Sequence, residues 1–124
     1  MKLTNRFPEK VKQYWIGWYQ CIECGKNHAD ALHHIISPSS IDYIKGKHNE
    51  SILNSCPINN NECHLYKPLH SFKKQKELLN KVKDILDQRN YKYDLIDYQF
   101  IIKYRKYYDE KTVELAENNL LNKK

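Results

Sequence analysis

All four cysteines and five of the six histidines fall between Cys21 and His64. Thiolates and imidazoles hold transition-metal ions, and imidazole also trades protons with water near neutral pH. The spacing sorts them into two groups. Cys21-Ile22-Glu23-Cys24 is a C-x2-C turn followed by Gly25, the shape of a zinc knuckle, and Cys56 and Cys63 return later as C-x6-C. Four thiolates would neutralise one Zn²⁺ and close a long loop around the histidines, with His28 as an alternative ligand. The plainer alternative makes Cys56 and Cys63 buried small hydrophobes. His33 and His34 are adjacent, and successive side chains on a strand point to opposite faces, so the two imidazoles have different jobs. Together with His64 they are left over once the cysteines fill a zinc site, available for a second ion or for proton transfer. The competing expectation places these histidines in purely structural zinc sites.

The elements that must position these groups follow from local pattern. Phe7 to Gln20 opens as a short helix with Pro8 in its first turn and continues as an aromatic packing strip through Trp15 and Trp18. Asp30 to Ile36 reads as a partly buried strand that Ser37-Pro38 ends, followed by a long connection with a basic tip at Gly46. Ser51 to Ser55 reads as a second short strand, and Asn59 or Asn60 caps a short helix that Pro68 stops, placing His64 early on it. From Ser71 to Gln88 the residues Phe72, Leu78, Leu79, Val82, Ile85 and Leu86 form a 3.6-residue apolar stripe, with Ser71 as cap and Asn90 as end. Asp94 to Tyr108 and Asp109 to Leu121 are two further helices. The order is strand, loop, strand, short helix, then a helical tail.

Length and charge narrow the function. A chain of 124 residues allows one domain with a small core, for which a structural metal is the usual support. The net charge is +6, with +3 over residues 1–20, −1 over 21–70, +3 over 71–90 and +1 over 91–124. A nearly neutral centre between basic flanks suits a divalent cation beside a polyanion, which points to nucleic acid. No apolar run is long enough to span a membrane, and Met1 to Pro8 has no apolar signal core. A reducing cytosol is therefore expected, where paired cysteines hold metal rather than form disulfides. Eighteen lysines against three arginines, with twelve asparagines and twelve isoleucines, suggest an A·T-rich coding sequence, as in a phage or mobile element.

Cys21-x2-Cys24, His33-His34-Ile35, Asn49 or Asn54, and Cys56…Cys63-His64 occur in the order found in HNH endonucleases. Residues 19 to 72 resemble that family, the zinc-bearing branch of the ββα-metal (His-Me finger) nucleases. Two positions depart from it: C-x6-C stands where the family has C-x2-C, and Ser51 stands where its central asparagine is usual. The resemblance implies an α+β fold with a ββα-metal core and a structural zinc knuckle, followed by C-terminal helices. It divides the chain into an N-terminal packing segment (1–20), a nuclease core (21–70) and a helical extension (71–124). His33 and His64 would bind the catalytic divalent ion, His34 would be the general base, and Asn49, or alternatively Asn54, would brace the loop that holds it. Cys21, Cys24, Cys56 and Cys63 would hold structural Zn²⁺. The implied activity is metal-dependent hydrolysis of DNA phosphodiester bonds, probed with Mg²⁺ or Mn²⁺, leaving 5′-phosphate and 3′-hydroxyl ends.

Double-stranded DNA is the expected partner, gripped by Lys45, Lys47, Lys73 and Lys74, in the cytoplasm of a bacterial host and away from membranes. The C-terminal helices are expected to form a basic arm on DNA, a homodimer contact or a dock for a phage protein. The alternative function is a non-catalytic zinc module that binds nucleic acid.

Overall fold

In the computed structural model, which describes residues 7–25, 28–37, 43–59 and 71–122, Pro8 caps a first helix, α1 (Glu9–Trp15). Its buried side, Val11 and Trp15, faces the centre of the molecule. Strand β1 (Ala31–His34) pairs antiparallel with β2 (Ser55–Ile58), and two 3-10 turns, Lys47–Glu50 and Ile52–Asn54, precede β2. Helix α2 (Phe72–Gln88) lies against β2 and the second 3-10 turn. Helix α3 (Leu95–Lys103), a 3-10 turn at Arg105–Tyr107 and helix α4 (Glu110–Asn122) complete a mixed α+β chain. No helix among the described residues is long and apolar enough to cross a membrane.

The second strand begins four residues later than the pattern indicates. Ser51 Oγ accepts from the Leu53 N–H at 3.0 Å, a local bond that closes a 3-10 turn where extended chain was expected. Pro57 then sits inside β2, a position a ladder rarely tolerates. It is tolerated because Pro57 lies on the outer edge of a two-stranded sheet. Its missing N–H costs no pairing, and its carbonyl accepts from the Ile22 N–H at 2.9 Å.

Helix α2 matches its sequence signals closely. Ser71 Oγ accepts from the Lys74 N–H at 3.2 Å. Asn90 adopts a left-handed φ of 56°, while Tyr91 N–H donates to Leu86 O and Asn90 N–H to Asp87 O, a Schellman ending. The short helix expected beyond Asn59, which would carry His64, lies outside the described residues, as does Cys63.

Among the described residues a shared apolar core runs from α1 to α4. Trp15, Leu32, Ile35, Ile36, Leu53, Cys56 and Ile58 pack in the same cluster as Leu78, Leu79, Val82, Phe100, Tyr104 and Tyr107. Residues after 71 thus contribute to the interior that supports β1 and β2.

A polar tie reinforces this junction. Asp94 and Asp97 form a capping box at the start of α3. Ser51 Oγ donates to Asp97 Oδ1 at 2.7 Å, and Lys10 of α1 pairs with Asp94 at 2.7 Å. Burial pushes the Asp97 carboxyl up to about 6, against the bonds it accepts from Ser51 and Asp94 N–H. Burial also works against charge on Asp94, but Lys10 and the Asp97 N–H hold its carboxyl below the usual range. Between about pH 4 and 6 the folded chain therefore binds a proton at Asp97 that the unfolded chain lacks. The Asp97 contribution to stability grows as pH falls through that window, and only below it does protonation of Asp94 act in the opposite sense.

Wild type is expected to gain about 2 kcal/mol on Asp97→Asn between pH 7 and pH 4.5. Parallel urea titrations measure this gain. A gap that narrows on acidification contradicts the assignment.

Candidate functional site

Strand β1 ends at His34, and its register with β2 decides what surrounds each imidazole. His33 pairs with Cys56 and His34 with Ser55. Directly paired residues share a face, so His33 lies with Cys56 on one side of the sheet and His34 with Ser55 on the other. His33 is buried. His34 is half-buried, with the Phe7 ring stacked on it at 3.8 Å between centroids and 10° between planes. On the same face Ser55 Oγ accepts from Trp15 Nε1 at 2.7 Å and donates to Ile52 O at 2.6 Å. The helix α1 segment therefore backs the His34 face.

Beyond His34 the chain leaves the strand and is held by Asn54. Ile35 N–H donates to Asn54 O at 3.0 Å, Ile36 N–H donates to Asn54 Oδ1 at 2.8 Å, and Asn54 Nδ2 donates to Ile36 O at 3.3 Å. Gln75 of α2 adds a bond to Ile35 O at 3.3 Å. Asn49, the asparagine preferred from spacing, does something else. Its Nδ2 donates to Ile44 O, and its Oδ1 accepts from Tyr104 Oη at 2.6 Å, tying the connection between the strands to the end of α3. Of the two, Asn54 is bonded to the backbone that follows His34.

The cysteine turn is docked onto both β2 and α2. Gly25 N–H donates to Cys21 O at 2.7 Å, and Gly25 has a φ of 70°, which closes the turn. The Ile22–Pro57 backbone bond sets this turn beside the strand that carries Cys56. Glu23, buried, accepts from Lys74 Nζ at 2.8 Å, and Lys81 Nζ reaches the Glu23 carbonyl at 3.3 Å. Cys21 and Cys56 are buried, Cys24 is half-buried, and no disulfide joins these three. Thiols in this state suit Zn²⁺ chemically. Among the described residues, however, no three His, Cys, Asp or Glu side chains form a group able to hold a metal ion. The fourth thiol, Cys63, and the second imidazole ligand, His64, lie outside those residues.

The lysines expected to meet DNA divide by environment. Lys45 and Lys47 flank Gly46 and are exposed, as is Lys73. Lys74 is engaged with Glu23 and, at 3.0 Å, with Glu77, and these bonds raise its ammonium above the ordinary value. It joins the cysteine turn to α2.

Beneath the basic tip, His48 is buried, and burial pushes its imidazole down toward the neutral form. Gly46, at a φ of 150°, is required there. A Cβ would stand 2.6 Å from the His48 ring.

No protein-family model, curated protein or solved structure matches the chain.

Asn54→Ala removes a side chain that satisfies two buried backbone groups of Ile36. It is expected to cost about 2–3 kcal/mol and to lower any His34-dependent activity, whereas Asn49→Ala loosens the Ile44 connection with a smaller effect on activity. Denaturant titration and activity measured on the two variants test this, and the reverse ranking contradicts it.

Phe7, Trp15, Ser55, Gln75 and Tyr104 were not singled out for the site by sequence. The available signal was the aromatic strip ahead of Cys21, which marked packing and not which imidazole it packs on.

Proposed function

We propose that the chain is a metal-dependent DNA endonuclease of the ββα-metal (HNH) type that leaves 5′-phosphate and 3′-hydroxyl ends. The reading is supported chiefly by one arrangement: two consecutive histidines end a strand on opposite faces, with Asn54 bonded to the backbone immediately after the second.

In this reading His34 takes a proton from the attacking water. Imidazole exchanges protons with water near neutral pH, which suits it to that role. Asn54 and Gln75 fix the backbone after His34 so that the ring approaches from one direction. His33 and His64 would hold the catalytic divalent ion, which when bound supplies charge relief at the scissile phosphate and the departing oxygen. Cys21, Cys24, Cys56 and Cys63 would hold structural Zn²⁺. Exposed Lys45, Lys47 and Lys73 would draw in the DNA backbone, with activity falling as salt rises. A phage or mobile-element origin and action inside a bacterial cell belong to the same proposal.

The deciding experiment is incubation of supercoiled plasmid with purified protein in Mg²⁺ or Mn²⁺. Nicks that disappear with chelator and are sealed by DNA ligase without end repair are expected, with Mn²⁺ at least as effective because imidazole favours it. Absence of nicking with every divalent ion refutes the proposal.

The direct pairing of His33 with Cys56 favours a second reading, in which His33 joins the thiolates in a zinc module that binds nucleic acid without cutting it. Elemental analysis is expected to give one tightly held Zn²⁺ per chain, lost together with the fold in Cys21→Ser. Retention of that ion in His33→Ala supports the nuclease, and its release supports the module.

A further inference from the structure

We propose that Phe72, ringed by Lys73, Lys76 and Lys106, is a stacking platform for an unpaired base, so that the preferred substrate is DNA carrying a single-stranded segment. This rests on the nuclease reading for its link to cleavage. Phe72 stands apart from the rest of the α2 stripe. Leu78, Leu79, Val82 and Leu86 are buried in the shared core and Ile85 packs against it, whereas Phe72, which opens the stripe, is 44% exposed.

Its surroundings are cationic. Lys73 follows it directly, Lys76 lies one turn further along α2, and both are exposed. Lys10, Lys12, Lys74, Lys81 and Lys83 each pair with a carboxylate, whereas Lys73 and Lys76 pair with none among the described residues. Lys106, also exposed, holds its Nζ 5.4 Å from the centre of the Phe72 ring and 5.5 Å from that of Tyr107. The buried Tyr107 ring lies 4.9 Å from Phe72 and supports it from the interior.

The lysines alone suit duplex and single strand equally, since both present phosphates. The aromatic ring decides between them. A paired base hides its faces in the stack of the duplex, while an unpaired base has a face to lay on an aromatic side chain, whatever its sequence. The location fits as well. Tyr107 Oη donates to Gln75 Oε1 at 3.1 Å, and Gln75 Nε2 donates to Ile35 O at 3.3 Å, so the platform is tied through two side chains to the backbone that follows His34.

The test uses the full chain with a blunt DNA duplex and the same duplex carrying a single-stranded thymidylate extension. Binding is read by fluorescence anisotropy without added divalent ion, so that no cleavage intervenes. Wild type and Phe72→Trp are expected to bind the extended duplex about tenfold more tightly than the blunt one. Phe72→Leu keeps an apolar cover on Tyr107 but has no flat face, and is expected to bind the two forms within about twofold of each other. Lys73→Gln combined with Lys76→Gln should weaken both forms alike and flatten the salt dependence. On wild type itself, 5-iododeoxyuridine in the extension should photocrosslink to Phe72, located by mass spectrometry.

Equal wild-type affinity for the two duplexes, a preference that survives in Phe72→Leu, or crosslinking confined to other residues overturns the platform while leaving the nuclease reading in place. Preference and crosslink in a protein that nicks no DNA with any divalent ion would sink the nuclease reading and leave the platform standing as a binding surface.

Discussion

His34→Ala is expected to abolish DNA cleavage while the protein still folds and still binds DNA. General-base catalysis contributes about 10²–10⁴-fold, which in a plasmid assay separates complete nicking from none. The fold survives because His34 is the last residue of β1 and half-buried, so its loss disturbs neither the Leu32 side chain in the core nor the Asn54 bonds made by Ile35 and Ile36. The lysines that would meet the phosphates stand on other segments, so gel-shift affinity should change little. Equal cleavage by the variant rules out His34 as base. Loss of binding together with cleavage places the residue in recognition.

Ending the chain after Asn90 is expected to eliminate cooperative folding. Phe100, Ile101, Tyr104, Tyr107, Tyr108 and Ala116 are all buried in the shared core. Their loss strips a large part of the cluster to which Leu78, Leu79 and Val82 belong. Polar ties are cut as well: Tyr104 Oη to Asn49, Tyr107 Oη to Gln75 at 3.1 Å, and Ser51 to Asp97. Removing one buried aromatic side chain costs about 3–5 kcal/mol, against about 5–15 kcal/mol of total stability for an ordinary domain. Circular dichroism should show no sigmoidal melt for the shortened chain. A cooperative melt would mean that residues 91–124 are an appendage after all, and only then would weaker DNA binding with a flatter salt dependence report a basic arm.

Sequence and structure agree where local rules operate alone. Ser71 and Asn90 bracket α2 because a cap and a left-handed residue need nothing from the rest of the chain. His33 and His34 fall on opposite faces because strand geometry requires it. The start of β2 was misread because the Ser51 hydroxyl offers its neighbour a bond that competes with extension, and Pro57 hid an edge position that only the Ile22 contact explains. Spacing favours Asn49 slightly over Asn54 but carries no information on the register, in which Ser55 stands opposite His34 and Asn54 bonds the backbone of Ile35 and Ile36. The tyrosines after Tyr91 carry no local mark that distinguishes an interior anchor from a nucleic-acid grip. Their burial is a property of the assembled core.

Pro57 has a consequence for the life of the protein in a crowded cell. An unprotected outer strand invites a neighbouring molecule to add its own, and repeated addition leads to insoluble fibres. Here the outward side of β2 lacks a donor at Pro57, and its acceptor is already taken by Ile22. The cysteine turn thus doubles as a guard against self-templating, and a chain whose turn came loose would be exposed to aggregation before it had fully unfolded.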